Sequence, residues 1–267
     1  MDFLLKATVS LLVLWVAMVG LMAALQTSML FPRAMVGPAP ALPEAAERLQ
    51  LAHDGAVLQG VLITGDRADL PLLLGFGGNA WNAEDVALFL HRIAPDHPVA
   101  AFHYRGYAPS TGHPSAAALL ADGLALHDLL APRAPQGMVA LGFSIGSGVA
   151  AHLAQARPID GVVLVTPFDS LTEVARASAP WAPVRRLFRH QMPVLDDLRN
   201  SAVPVALIVA GRDTIIPPAR AEALAAGLEA AGRPARSVQR LDAGHNEIYG
   251  HPGFAPGLRA AISDVME

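Results

Sequence analysis

The stretch Val139–Ala151 reads VALGFSIGSGVAA, and its centre, Gly142-Phe143-Ser144-Ile145-Gly146, limits the chain to few folds. Met138–Leu141 is a short apolar run that reads as a buried strand, and the Ala- and Val-rich residues beyond Gly146 read as a helix. A serine on such a strand-to-helix turn sits in a strained backbone conformation. Side chains at Gly142 and Gly146 would collide there, so both positions must be small. The helix start leaves N–H groups unpaired and sets a positive dipole end beside Ser144 Oγ. The five-residue pattern alone is weak, and a Gly/Ser-rich helix start in an ordinary α/β protein is the plainer alternative. The flanking strand and helix favour a reactive serine.

The rest of the chain repeats this rhythm. Leu49–Thr64 alternates around Asp54-Gly55, a hairpin signal. Pro71–Phe76, Pro98–His103, Met138–Phe143, Gly161–Thr166 and Val205–Ala210 are apolar runs suited to buried parallel strands, and Arg236–Leu241 to an edge strand. Ala83–Ala94, Ser115–Leu130, Ile145–Ala156, Ala219–Ala231 and Gly257–Met266 have helical spacing. Strands alternating with helices predict an α/β protein with a mostly parallel sheet covered on both faces. Phe168–Ser201 breaks the rhythm and predicts a small excursion over the C-terminal edge of the sheet.

With 267 residues the chain is long enough for one sizeable core. A net charge of −4 gives no reason to expect nucleic acid, and the absence of cysteine excludes disulfides and thiolate chemistry. One Lys against eighteen Arg, with abundant Ala, suggests a GC-rich bacterial genome. Ala7–Pro32 carries no charge, and Ala7–Leu25 is about as long as a helix needs to cross a bilayer. We read residues 1–33 as a membrane anchor, 34–48 as a Pro-rich linker and 49–267 as the globular domain. A cleaved signal peptide is the rival, but the apolar run is longer than its usual core. Lys6 and the amino group on one side, with Arg33 and Arg48 on the other, favour a short tail inside and the domain outside, on the periplasmic side of a bacterial inner membrane.

Reactive groups in such sheets collect at the C-terminal strand ends. Gly211-Arg212-Asp213 follows Val205–Ala210, and Asp242-Ala243-Gly244-His245 follows Arg236–Leu241. The order Ser144, Asp213, His245 suits nucleophilic catalysis: His245 takes the serine proton, and Asp213 orients and stabilises the imidazolium. Asp169, one strand earlier, is the rival acid, and Asp242 reads as a turn residue. Tyr104 and Arg105 read as loop-fixing residues, and His152 as a helix-face residue. His91, Asp96 and His97 could be drawn as a metal cluster, but they bracket Pro95 and Pro98 in a loop, so neither metal nor cofactor is expected. Arg185, Arg186 and Arg189 read as a solvated face, with contact to anionic lipid as a second reading. Trp81, Phe143 and the Phe168–Ser201 excursion are expected to line the substrate pocket.

These motifs, with TSMLFPR after the anchor, GGNAWN, YRGYAPSTG, TPFDS, AGRDTIIPP and AGHNE, make the chain resemble the α/β-hydrolase-fold serine hydrolases, in the small N-terminally anchored branch without a large lid. The resemblance runs from about Thr27 to the C-terminus. It implies hydrolysis of an acyl ester or thioester, from a small molecule or a lipid, through a covalent acyl-enzyme. It also implies an oxyanion hole at the Ile145 N–H and an N–H near Gly78-Asn79. Two positions depart from the family pattern, with Gly77 where a His is usual and His103 where an Asp is frequent. A peptidase of the same fold and a non-catalytic binding protein are the alternatives. The first usually needs an extra selecting domain, and the second usually lacks a triad residue.

Overall fold

The computed structural model describes residues 2–44 and 46–267. The strands are β1 (Glu47–His53), β2 (Ala56–Ile63), β3 (Leu72–Phe76), β4 (Val99–Phe102), β5 (Met138–Phe143), β6 (Gly161–Val165), β7 (Val205–Ala210) and β8 (Ser237–Leu241). Among the described residues they form one 8-stranded sheet in the order β1-β2-β4-β3-β5-β6-β7-β8. β1 and β2 make the expected hairpin. Asp54 and Gly55 take φ of 44° and 71°, which their turn requires. β2 also pairs antiparallel with β4, and every pairing from β3 onward is parallel. β1 starts two residues inside the expected linker. Its exposed Glu47 and Arg48 lie on a half-solvated edge strand, where polar residues do not signal a loop.

Strand pleating divides the core. Leu72, Leu74 and Ala140 point to one face, where they meet α3 (Ala116–Leu130), α4 (Gly146–Ala156) and α8 (Pro218–Ala230) through Leu119, Val149 and Leu224. Leu73, Val139 and Leu141 point to the other face and meet α2 (Ala83–Ile93) and α9 (Phe254–Met266) through Val86, Leu90 and Leu258. α2 and α3 start where the sequence supplies a side-chain cap. Asn82 accepts from the Glu84 N–H at 2.9 Å and Ser115 from the Ala118 N–H at 3.1 Å, each worth about 1 kcal/mol.

Asp2–Leu30 is one 29-residue helix, α1, long and apolar enough to cross a bilayer. Most of its large side chains are exposed, from Phe3 and Leu14 to Met29, while Val19 is buried and Met22 half-buried. Only its last turns meet the domain, at the Phe168–Ser201 excursion. That segment folds as three short helices, α5 (Leu171–Ser178), α6 (Val184–Leu187) and α7 (Val194–Arg199). The Gln26 side chain donates to Leu187 O at 3.2 Å and accepts from the Arg189 N–H at 2.8 Å. Thr27 Oγ1 lies 2.9 Å from His190 Nε2, and Phe31 is buried.

Candidate active site

β5 ends at Phe143 and α4 begins at Gly146, so the chain reverses within Ser144 and Ile145. Ser144 has φ of 52°, a left-handed conformation that a residue with a Cβ enters only under strain. A Cβ on Gly142 would lie 2.6 Å from Gly146 O, and one on Gly146 would run into the Phe76 carbonyl. Both glycines are therefore steric requirements of this turn.

The structure brings Ser144, Asp213 and His245 together from the ends of β5, β7 and β8. His245 Nε2 lies 3.0 Å from Ser144 Oγ, and its Nδ1 lies 2.6 Å from Asp213 Oδ2. Asp213 Oδ1 accepts from the N–H groups of Ile215 and Ile216, both at 2.8 Å, which fixes the carboxylate plane. All three side chains are largely buried, so their hydrogen bonds act with little screening by water. Asp169 does not reach this group. It faces Arg220 at 3.3 Å, and burial pushes its carboxyl above the usual range despite that guanidinium. Asp242 is exposed and pairs with Arg212 at 2.7 Å.

Beside the serine, the N–H groups of Ile145, Gly78 and Asn79 have no hydrogen-bond partner among the described residues. A Cβ on Gly78 would stand 3.7 Å from Ser144 Cβ, so the Gly77–Asn79 loop lies directly against the serine. Two tyrosines hold that loop. Tyr104 donates to Gly77 O and Tyr107 to Asn79 Oδ1, both at 2.7 Å. Burial pushes both phenols above their usual range, so they stay protonated and keep donating. The Asn79 amide also donates to Leu30 O at the end of α1. Tyr104 thus fixes the loop as expected. Arg105 instead binds Asp122 through two N–H groups at 2.6 and 3.0 Å and the hairpin carbonyl of Asp54 at 2.8 Å.

The two departures from the family pattern have local explanations. Gly77 faces Val86, where a Cβ would already be tight at 3.0 Å. His103 is buried against the Glu84 carboxylate, which Arg48 also reaches at 3.2 Å. Burial raises the Glu84 carboxyl, but His103, a backbone N–H and Arg48 outweigh it and leave it below the usual range. Sequence spacing gave no sign of this pair.

Phe143 and Phe168 are completely buried and pack the core, since the strands they follow are covered on both faces. Neither offers surface to a substrate. Trp81 is half-buried and stacks on Phe143, Phe89 and Tyr249 with centroids 5.0–5.4 Å away. His152 is half-buried with Asp197 at 3.4 Å, and His97 Nδ1 lies 2.9 Å from Pro71 O. Among the described residues no three His, Asp or Glu side chains gather as metal ligands. Arg185 pairs with Glu173 at 3.0 Å, and Arg189 donates to Ala23 O at 2.9 Å.

Sequence reasoning missed Tyr107, Glu84, Gln26, Thr27 and His190. Tyr107 and Thr27 sat within motifs, but their partners are 28 and 163 residues away. His190 has its basicity lowered by burial and by the charge of Arg189.

No protein-family model matches the chain. Over 228 residues, covering 81 % of this chain and 79 % of the relative, it is 34 % identical to the uncharacterized protein Rv2307c of Mycobacterium tuberculosis. It is 28 % identical over 170 residues to the lysophosphatidylserine lipase ABHD12 of Danio rerio, a match covering 55 % of this chain and 44 % of that one. The esterase Pf2001 of Pyrococcus furiosus superposes with a TM-score of 0.66 at 20 % identity, over 83 % of this chain and 93 % of the other. The chain therefore belongs to the family of the mycobacterial protein Rv2307c, within the α/β-hydrolase fold.

Proposed function

We propose that the protein is a serine hydrolase that cleaves an acyl ester or thioester through Ser144, His245 and Asp213, and that α1 tethers it to a membrane. The observation that carries the reading is the continuous relay from Asp213 Oδ2 to His245 Nδ1 at 2.6 Å and from His245 Nε2 to Ser144 Oγ at 3.0 Å.

In this reading His245 accepts the Ser144 proton as Oγ attacks the acyl carbonyl, and Asp213 stabilises the imidazolium that forms. The oxyanion develops beside the free N–H groups of Ile145 and Gly78 or Asn79. One such donor is worth roughly 3–4 kcal/mol in the transition state. His245 then returns the proton to the departing alcohol or thiol, which leaves an acyl group on Ser144. Water activated by the same His245 releases the acid. The half-buried Trp81 borders the Gly77–Asn79 loop and would contact the substrate.

Membrane tethering is supported by the first turns of α1, whose apolar side chains from Phe3 to Met18 are almost all exposed, as a helix in lipid requires. A lipid ester is supported by the name of the ABHD12 relative, a lysophosphatidylserine lipase. The test uses the full chain in nanodiscs with p-nitrophenyl esters from acetyl to palmitoyl, beside Ser144→Ala. Loss of hydrolysis in the variant, with labelling of the wild type alone by a fluorophosphonate, supports the reading. An unchanged rate in Ser144→Ala refutes it.

A further inference from the structure

The last turns of α1 and the α5–α6 excursion enclose an apolar groove of about 400 Å³, within the range of ligand-binding cavities. Val19, Met22 and Met29 form one wall, and Ala179, Ala182 and Phe188 the other. Two polar side chains reach its surface, and both are already engaged. The Gln26 amide bonds to Ala23 O, Leu187 O and the Arg189 N–H, and the Ser178 hydroxyl donates to Val174 O. Both polar side chains of the lining are thus already hydrogen-bonded within the protein, and the groove suits an apolar occupant.

Three further observations identify that occupant. The wall from Val19 to Leu30 is about 16 Å of a helix able to span a bilayer, so the groove runs along the line by which a chain leaves the lipid. At its far end lies Leu30, whose carbonyl is held by Asn79 in the loop that packs against Ser144. Trp181 and Leu187 are exposed on the excursion, with Arg185 and Arg186 beside them, the residue mixture of a membrane interface.

We propose that this groove is the acyl-chain subsite: it takes the fatty chain of a membrane-resident ester directly from the bilayer and delivers the ester carbonyl to Ser144. The anchor helix is thus one wall of the substrate site. The proposal rests on the serine-hydrolase reading above.

The test reads chain-length selectivity in the full-length protein in nanodiscs. Ala182→Trp fills the groove from the domain side and Ala23→Trp from the anchor side. In each variant the ratio of kcat/KM for p-nitrophenyl palmitate to that for the butyrate should fall at least tenfold. An equal loss on both esters, or an unchanged ratio, overturns the proposal. If hydrolysis survives Ser144→Ala, it is the serine-hydrolase reading that fails. A binding measurement needs neither activity nor a groove variant. A palmitic acid with a terminal diazirine, photolysed with Ser144→Ala in nanodiscs, should label Met22, Met29 or Phe188 above the outer positions Leu11 and Leu14. Even labelling along α1 overturns the proposal. So does self-association of the chain that both Trp variants abolish with the ratio intact, because the groove would then hold a second copy's helix.

Discussion

A methyl group added at Gly146 tests whether the geometry of the serine turn, and not merely its composition, sets activity. In Gly146→Ala the new Cβ would stand 2.7 Å from the Phe76 carbonyl carbon and 2.8 Å from Gly77 O. Ordinary contact is roughly 3.5 Å, so the end of β3 must retreat by more than about 0.8 Å, since the Phe76 carbonyl oxygen lies closer still, or α4 must tilt. Both atoms are backbone, and no rotamer change relieves the overlap. Overpacking of this kind costs about 1–3 kcal/mol, against at most about 1 kcal/mol gained from replacing glycine in a helix. The net cost of up to about 2 kcal/mol corresponds to a fall in Tm of up to about 8 °C for a chain of this size. Activity should suffer more, because the atoms displaced lead straight into the Gly77–Asn79 loop. Losing the use of one oxyanion donor lowers kcat by roughly 100-fold, and a partial displacement by at least about tenfold. Gly227→Ala is the matched control. Its Cβ would meet first the Leu195 methyls, at 2.5 and 2.7 Å, on a half-buried side chain that can turn away. That variant should keep full activity and a Tm within a few degrees of wild type. The assay is a thermal melt with butyrate-ester turnover on both proteins. Wild-type kcat in Gly146→Ala, or equal losses in the two variants, would refute the reasoning.

Four other outcomes follow from the same contacts. Asp213→Asn should lower kcat on the order of 10⁴-fold in ester turnover, because the amide no longer holds the correct His245 tautomer. Tyr107→Phe removes the donor to Asn79 Oδ1, and a hydrogen bond worth about 1 kcal/mol predicts a roughly fivefold fall in kcat with little change in KM. Asp122→Ala leaves the buried Arg105 with only the exposed Asp54 carboxylate, at 3.5 Å, as counter-charge, costing up to about 3–5 kcal/mol. A thermal melt should show this, with partial recovery on adding Arg105→Met. The folded state depresses the His190 pKa, so the neutral ring contributes stability that is complete above about pH 6.5 and is lost as pH falls through the folded value. The Tm advantage of wild type over His190→Gln should therefore shrink from pH 7.5 to pH 5, and a growing advantage would contradict the assignment.

The βα order, the hairpin and the serine turn were legible because each is encoded within a few neighbouring residues. Val205–Ala210 is apolar throughout because a central parallel strand is buried on both faces, and it is found where its sequence put it. Asp213 and His245 were legible as candidates because the sheet topology forces both strand ends to one edge. Their contact with Ser144 is a consequence of the sheet order, and no local pattern contains it. Phe143 and Phe168 misled for a related reason. Residues next to a strand end are near its turn in sequence, but the pleat of β5 turns Phe143 into the core, and Phe168, three residues past β6, is likewise fully buried. Glu84 and His103 lie 19 residues apart on different elements, and a Glu near a helix start reads as an ordinary N-terminal charge.

The junction between α1 and the rest of the chain was the least legible part, and it changes what α1 is. A composition-based reading treats residues 1–33 as a separable tether. The contacts are 49 residues apart for Leu30 and Asn79 and 163 apart for Thr27 and His190, beyond the reach of any periodicity. Phe31 has its ring 5.2 Å from that of His190 and is buried, so a cut after Arg33 would open the core and free the Asn79 amide. Asn79 would then keep only Tyr107, and the loop beside Ser144 would lose one of its three side-chain fastenings. A tether can be exchanged for any apolar helix of equal length. A helix whose Gln26, Thr27 and Leu30 hold the α5–α6 excursion and the Gly77–Asn79 loop cannot. Under the proposed reading, its last three turns therefore belong to the active site as much as to the membrane.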